Sequence, residues 1–173
     1  MEQEGIAAGA QALVPIAFAP ADALKRPTLN IATRARIFQR DRFTCRYCGL
    51  RTVPEPIFEL LGVIYPTLIP FHSNWKGGAI HPVEPLVIAE PDHIKPGRRG
   101  GDWLDEDNLA TSCAACNTLK ADYLLDELGW PLLPIPETTW DGLTGHYRTL
   151  WKAASEPRTS GDRHGKWMQA FGV

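Results

Sequence analysis

Apolar and polar positions alternate in short blocks along this chain, and each block predicts a short element. "TRARIFQRDRF" predicts a helix over 33–43, started by Thr33 and anchored on Ile37. Residues 51–88 hold Pro54, Pro56, Pro66, Pro70, Pro82 and Pro85 around apolar stretches such as "IFELLGVIYPTLI". That mixture predicts an insertion of short elements and long loops. "PLVIAEPDHI" is β-rich and predicts a strand over about 86–90. "KPGRRGG" (95–101) reads as a loop, and "DEDNLATSCAACN" (105–117) as an extended arm. "NTLKADYLLDELGW" predicts a helix over 117–130, stopped by Gly129 and Pro131. "TWDGLTGHYRTLWKAA" (139–154) holds another helix, and 155–173 is a polar, Gly-rich extension until "WMQAF".

The start, 1–27, is Ala-rich but opens with acids and is broken by Pro15 and Pro20. It lacks the basic start and unbroken apolar run of a secretory signal, and reads as a poorly ordered tail. No run reaches about 18 apolar residues, so no membrane span is expected and the cytoplasm is the expected compartment. The remaining 28–154 form one expected domain interrupted by the insertion at 51–88.

Composition adds little, because 44% apolar and 22% charged residues are ordinary for a globular chain. The net charge of −2 conceals a local skew. Segment 25–51 carries Lys25, Arg26, Arg34, Arg36, Arg40, Arg42, Arg46 and Arg51 against Asp41 as its one acid. Such a block either forms a solvated helix face or meets a polyanion.

The four cysteines form two pairs, Cys45 and Cys48 in "CRYCG" and Cys113 and Cys116 in "CAACN". Two intervening residues let the chain turn so that both sulfurs face one point, and two such turns supply four tetrahedral ligands. The pattern therefore reads as a structural zinc site. Four sulfurs leave no open position for water, so that ion is not expected to be catalytic. The gap between the pairs is longer than in common zinc ribbons, so the ion would close a long loop.

"RARIFQRDRFTCRYCG", then "DHIKPGRRGG", then "NL", then "CAACNTLK" resembles the HNH nuclease family in its zinc-knuckle form. The resemblance covers roughly 34–51 and 89–122. It implies an α+β fold: a ββα-metal core with a four-cysteine zinc site, a Pro-rich insertion and helical C-terminal additions. By the same resemblance His93 is the general base, Asp92 a ligand of a catalytic metal ion, and Asn108 the residue bracing the histidine's loop. Asn117 is implied as the second metal ligand, and Lys120 matches the basic residue that often ends the motif. The implied activity is metal-dependent endonucleolytic hydrolysis of DNA, double-stranded rather than single-stranded, leaving 5′-phosphate and 3′-hydroxyl ends.

The chemistry of the residues agrees. A neutral imidazole can take a proton from water near neutral pH. Carboxylate and amide oxygens favour Mg²⁺ or Mn²⁺. Arg34, Arg36, Arg40, Arg42, Arg46, Arg98, Arg99 and Lys120 are the expected phosphate contacts. Asn117 at the start of a helix would add backbone N–H groups.

Taken singly, each residue has a plainer reading. Asp92 suits an Asx-turn, Asn108 a turn, Asn117 a helix N-cap, and His93 a loop histidine. A non-catalytic zinc module that binds nucleic acid would keep the cysteines and the basic segment without needing Asp92, His93 or Asn117. His72 and His81 in the insertion read either as loop residues or as a further metal pair. Adjacent strand residues point to opposite faces, so Asp92 and His93 can share a site only where the strand ends or bulges. A symmetric restriction target would call for a homodimer, since one such site cuts one strand. Restriction, phage defence and mobile-element roles are all compatible with this chemistry.

Overall fold

A computed structural model describes residues 27–72, 74, 76–155 and 161–173, so the expected tail lies almost entirely outside the described residues. The first helix, α1, spans Ile31–Arg40. It starts two residues before the expected position because Asn30, not Thr33, caps it: the Asn30 side chain accepts from Thr33 N–H at 2.9 Å. Ile37 is fully buried, as expected, together with Ala35 and Phe38.

After the first cysteine pair come a two-residue strand, β1 (Val53–Pro54), and a ten-residue helix, α2 (Glu55–Ile64). Within the stretch expected as an insertion of short elements and long loops, α2 packs into the core. Pro56 sits in the first turn of α2, where a missing N–H costs nothing, and Ile57, Phe58 and Leu60 are buried. A single turn, α3 (Glu84–Val87), then takes the place expected for the strand, which forms later as β2 (Ile88–His93).

β2 pairs antiparallel with β3 (Leu109–Cys113) and parallel with β1, giving the order β1-β2-β3. The β2–β3 register runs from Ala89↔Cys113 to His93↔Leu109 with no bulge. β3 leads directly into α4 (Ala114–Lys120), followed by a turn, α5 (Leu125–Leu128), and an αL Gly129 cap. The helix predicted over 117–130 is thus two helices, and it begins earlier because Cys113 caps it by accepting from Cys116 N–H.

Two further helices complete the described residues, α6 (Tyr147–Ala153) and α7 (Gly161–Phe171). Within the polar extension expected at 155–173, α7 packs onto α1. Trp167 and Phe171 are buried there, and the Trp167 ring stacks on Phe38 with centroids 6.2 Å apart. Its apolar residues recur at helical spacing only near the end, which hid the pattern. No described helix is long and apolar enough to cross a membrane.

One buried acid is poorly served by this packing. Glu84 is fully buried and neither carboxylate oxygen has a hydrogen-bond partner among the described residues. Burial, with a contribution from Glu55, pushes its pKa up to about 6. Because the folded value lies above the unfolded one, stability is greatest below the unfolded value and is lost as pH rises through about 6. Glu84→Gln is therefore expected to stabilise the fold by about 1–2 kcal/mol at pH 8 and by nothing below pH ~4, read as a pH-dependent difference in Tm.

Candidate active site and metal centre

The two cysteine pairs meet. All four sulfurs lie within 4.8 Å of one another, and Cys48 Sγ and Cys113 Sγ are 3.9 Å apart. Four sulfurs at tetrahedral corners, each about 2.3 Å from zinc, would be about 3.8 Å apart, so the cluster has the dimensions of such a site. The first knuckle turns on Gly49, at φ +78°, whose N–H reaches Cys45 O at 2.9 Å. Backbone N–H of Cys116 donates to Cys113 Sγ at 3.4 Å. The thiols themselves are in conflict: a hydrogen bond from Cys113 pulls Cys45 down to about 4, while burial pushes Cys116 up to about 12. A divalent cation resolves that conflict by favouring thiolate at all four positions.

Next to this cluster lies the end of β2. Asp92 and His93 are both buried, and both line a pocket of about 420 Å³ together with Arg98, Trp103, Asn117 and Asp122. The strand ends at His93 without a bulge, so the two side chains diverge yet both border the open space at its end. A second pocket of about 350 Å³ holds Arg34 and Glu90 and shares His93 and Asn117 with the first. His93 and Asn117 therefore stand on the wall common to both.

The imidazole is held in a defined way. His93 Nε2 lies 3.0 Å from the Trp103 carbonyl oxygen, and the two rings meet edge-on at 5.0 Å. A carbonyl can only accept, so Nε2 carries a proton, and in the neutral ring the lone pair sits on Nδ1. Asn108 secures the loop that delivers Trp103. Its Oδ1 accepts from Lys95 N–H at 2.9 Å, and its Nδ2 donates to Lys95 O at 3.0 Å and to Asp102 O at 2.8 Å. The loop closes this tightly because of its glycines: a Cβ on Gly97 would lie 2.0 Å from the Trp103 ring, and one on Gly101 1.9 Å from Lys95 O.

Asp92 is bound through one oxygen. Its Oδ2 accepts from the Tyr47 hydroxyl at 2.6 Å and lies 3.0 Å from Lys120 Nζ. Burial, and then the Asp92 charge, hold the Tyr47 phenol well above its ordinary pKa, so it remains a donor. Asn117 lies inside α4 rather than at its start, and its Nδ2 donates to Glu90 Oε2. The free helix N–H groups expected beside it are thus not there.

The structure redistributes the expected phosphate contacts. Lys120 is fully buried, with Nζ donating to His93 O at 2.7 Å as well as facing Asp92, so it has no open path to a phosphate. Arg40 and Arg46 converge on the buried Asp41, and Arg40 also binds the carbonyls of Glu106 and Leu109. Arg34 lies over the Trp167 ring, with Glu55 and Glu90 supporting a charge that burial opposes. Arg36 pairs with Glu106 and Arg99 with Glu127. Arg42 is exposed, and Arg98 stands at the first pocket, 3.7 Å from Asp122. His72 and His81 each accept a local backbone N–H, from Asn74 and Val83.

Sequence reasoning passed over Tyr47, Glu90, Trp103 and Asp122. Glu90 had a signal, since it stands two residues before Asp92 and so on the same strand face. Tyr47 had one in its place inside the first knuckle.

Residues 80–122 match the family described as HNH endonuclease. The matched segment contains β2, the loop, β3 and α4, and therefore the whole first pocket and the second cysteine pair. No curated protein and no solved structure matches the chain. Metal analysis of the purified protein is expected to find about one tightly held zinc per chain. Cys113→Ser should lose that zinc and lower Tm sharply, because the ion joins two distant stretches of chain.

Proposed function

We propose that this protein is a metal-dependent endonuclease that hydrolyses DNA phosphodiester bonds at the pocket formed by Asp92, His93 and Asn117. The match of residues 80–122 to the HNH endonuclease family implies a nucleic-acid substrate. The observation that carries the reading is the His93 geometry. A buried imidazole is oriented by a carbonyl at Nε2, which leaves Nδ1 as the nitrogen available to act as a base when the ring is neutral, in a pocket it shares with two oxygen-bearing side chains. Donor chemistry fits a hard divalent ion there: Asp92 offers a carboxylate and Asn117 an amide oxygen.

In this scheme His93 Nδ1 takes a proton from water as its oxygen attacks phosphorus. The P–O3′ bond breaks, leaving a 5′-phosphate on one product, while the departing O3′ takes a proton from solvent and becomes the 3′-hydroxyl of the other. When bound, Mg²⁺ or Mn²⁺ supplies charge stabilisation at the phosphate and the departing oxygen. Asp92 and Asn117 hold that ion. Asn108 keeps the loop closed so that Trp103 O stays on Nε2. Arg98, and Arg34 from the second pocket, are placed to meet phosphates flanking the cut. Zinc in the four-cysteine cluster holds the two knuckles together. Duplex DNA is the proposed substrate, and cutting both strands would require a second copy of the chain.

Nicking of supercoiled plasmid in Mg²⁺ or Mn²⁺, stopped by EDTA, tests the reading. His93→Ala should slow it by roughly 100- to 10,000-fold. Cleavage unchanged by that substitution would remove His93 from the mechanism, and DNA binding without cleavage in any divalent ion would favour the non-catalytic module. The arginines should separate into two groups. Arg98→Ala should weaken DNA binding and reduce its salt dependence by about one charge at unchanged Tm. Arg46→Ala should instead lower stability by about 1–3 kcal/mol.

A further inference from the structure

We infer that Tyr47 is a positioning residue for the catalytic ion: its hydroxyl, carried on the first zinc knuckle, fixes the Asp92 carboxylate so that one oxygen alone is presented to the pocket. The inference rests on the proposed role of Asp92 as a metal ligand. Tyr47 stands between Cys45 and Cys48, so two zinc ligands hold its backbone on either side. Its side chain is buried, and its ring packs against Trp130 at 6.0 Å. Its hydroxyl donates to Asp92 Oδ2 at 2.6 Å across 45 residues of sequence.

Lys120 approaches the same oxygen from α4, the helix that carries Cys116 and Asn117. Oδ2 thus receives two donors, while Oδ1 accepts no hydrogen bond among the described residues and belongs to a residue lining the pocket. A free carboxylate can rotate about Cβ–Cγ and offer either oxygen, or both. Anchoring Oδ2 removes that freedom and leaves a single-oxygen ligand of fixed direction. Groups that bind a ligand in this way alter metal affinity even though they never touch the ion. The zinc cluster, by holding Tyr47, would then set the affinity of the second metal site as well as the fold.

The test is Mn²⁺ binding, followed by electron paramagnetic resonance, to the zinc-loaded wild-type protein, Tyr47→Phe and Asp92→Ala. Phenylalanine keeps the ring and its packing and removes only the donor. Tyr47→Phe is expected to weaken Mn²⁺ binding by roughly 10- to 100-fold at unchanged zinc content. Its plasmid nicking should return to within about threefold of wild type once Mn²⁺ is saturating, because the ligand is misaligned rather than lost. Unchanged Mn²⁺ affinity would overturn the inference, whatever happens to Tm. So would a nicking defect that excess Mn²⁺ does not rescue, since that marks a purely structural role. Asp92→Ala separates the two levels of failure. If it leaves Mn²⁺ binding intact, Asp92 holds no ion and the proposed site falls with the inference. If it abolishes binding while Tyr47→Phe has no effect, only the role of Tyr47 falls.

Discussion

A buried carboxylate, that of Asp41, joins the parts on which the rest of the structure depends. It is fully buried at the end of α1 and accepts from Arg40, from Arg46 and from the backbone N–H of Thr111 at 2.7 Å. A charge removed from water is tolerable only when its partners are complete, and removal of one leaves a costly orphan. Here the partners come from three places: the helix itself, the first knuckle and β3. Arg46 N–H also reaches Thr111 O at 2.8 Å, so the knuckle docks on the strand by main chain as well as by charge. Satisfying this one acid therefore brings Cys45 and Cys48 to the strand that ends in Cys113.

The same arrangement explains a proline inside a strand. Pro91 is paired with Thr111, and both Thr111 backbone groups face the knuckle and Asp41 rather than β2. The pair is one that exchanges no ladder bonds, so the N–H that proline lacks is not needed toward β3. The basic character of segment 25–51 is explained at the same time. Three of its arginines, Arg36, Arg40 and Arg46, pair with Asp41 or Glu106, and two of these also bind backbone carbonyls, so part of the charge is spent within the fold.

The chemistry-bearing residues were legible because their types and spacings are themselves the signal. Two CxxC pairs, an Asp-His dipeptide and an Asn four residues after Cys113 need no tertiary knowledge to be noticed. Secondary structure was less legible where long-range partners decided it. α2 lies in a proline-rich stretch whose first two prolines, Pro54 and Pro56, fall at the start of the helix, where they favour it. The α4 start was missed because its cap is a cysteine, which local propensity does not rank as a cap. The fates of Arg40, Arg46 and Lys120 could not be read at all. Whether a basic side chain meets solvent or is drawn into the fold depends on carbonyls more than 60 residues away for Arg40 and 27 away for Lys120.

α4 shows why a zinc cluster and a candidate catalytic pocket stand side by side. Cys113, Cys116, Asn117 and Lys120 follow one another at steps of three, one and three residues. Those steps place all four on a single helical face. One face thus supplies two sulfurs to the cluster, an amide to the pocket and an ammonium to the carboxylate between them. Rotation or displacement of α4 would disturb all three at once. The sulfur cluster fixes one end of that face and Lys120, through Asp92 Oδ2 and His93 O, fixes the other. Asn117 sits between two anchored points and is bonded to Glu90 of β2, so its geometry is set before any substrate arrives.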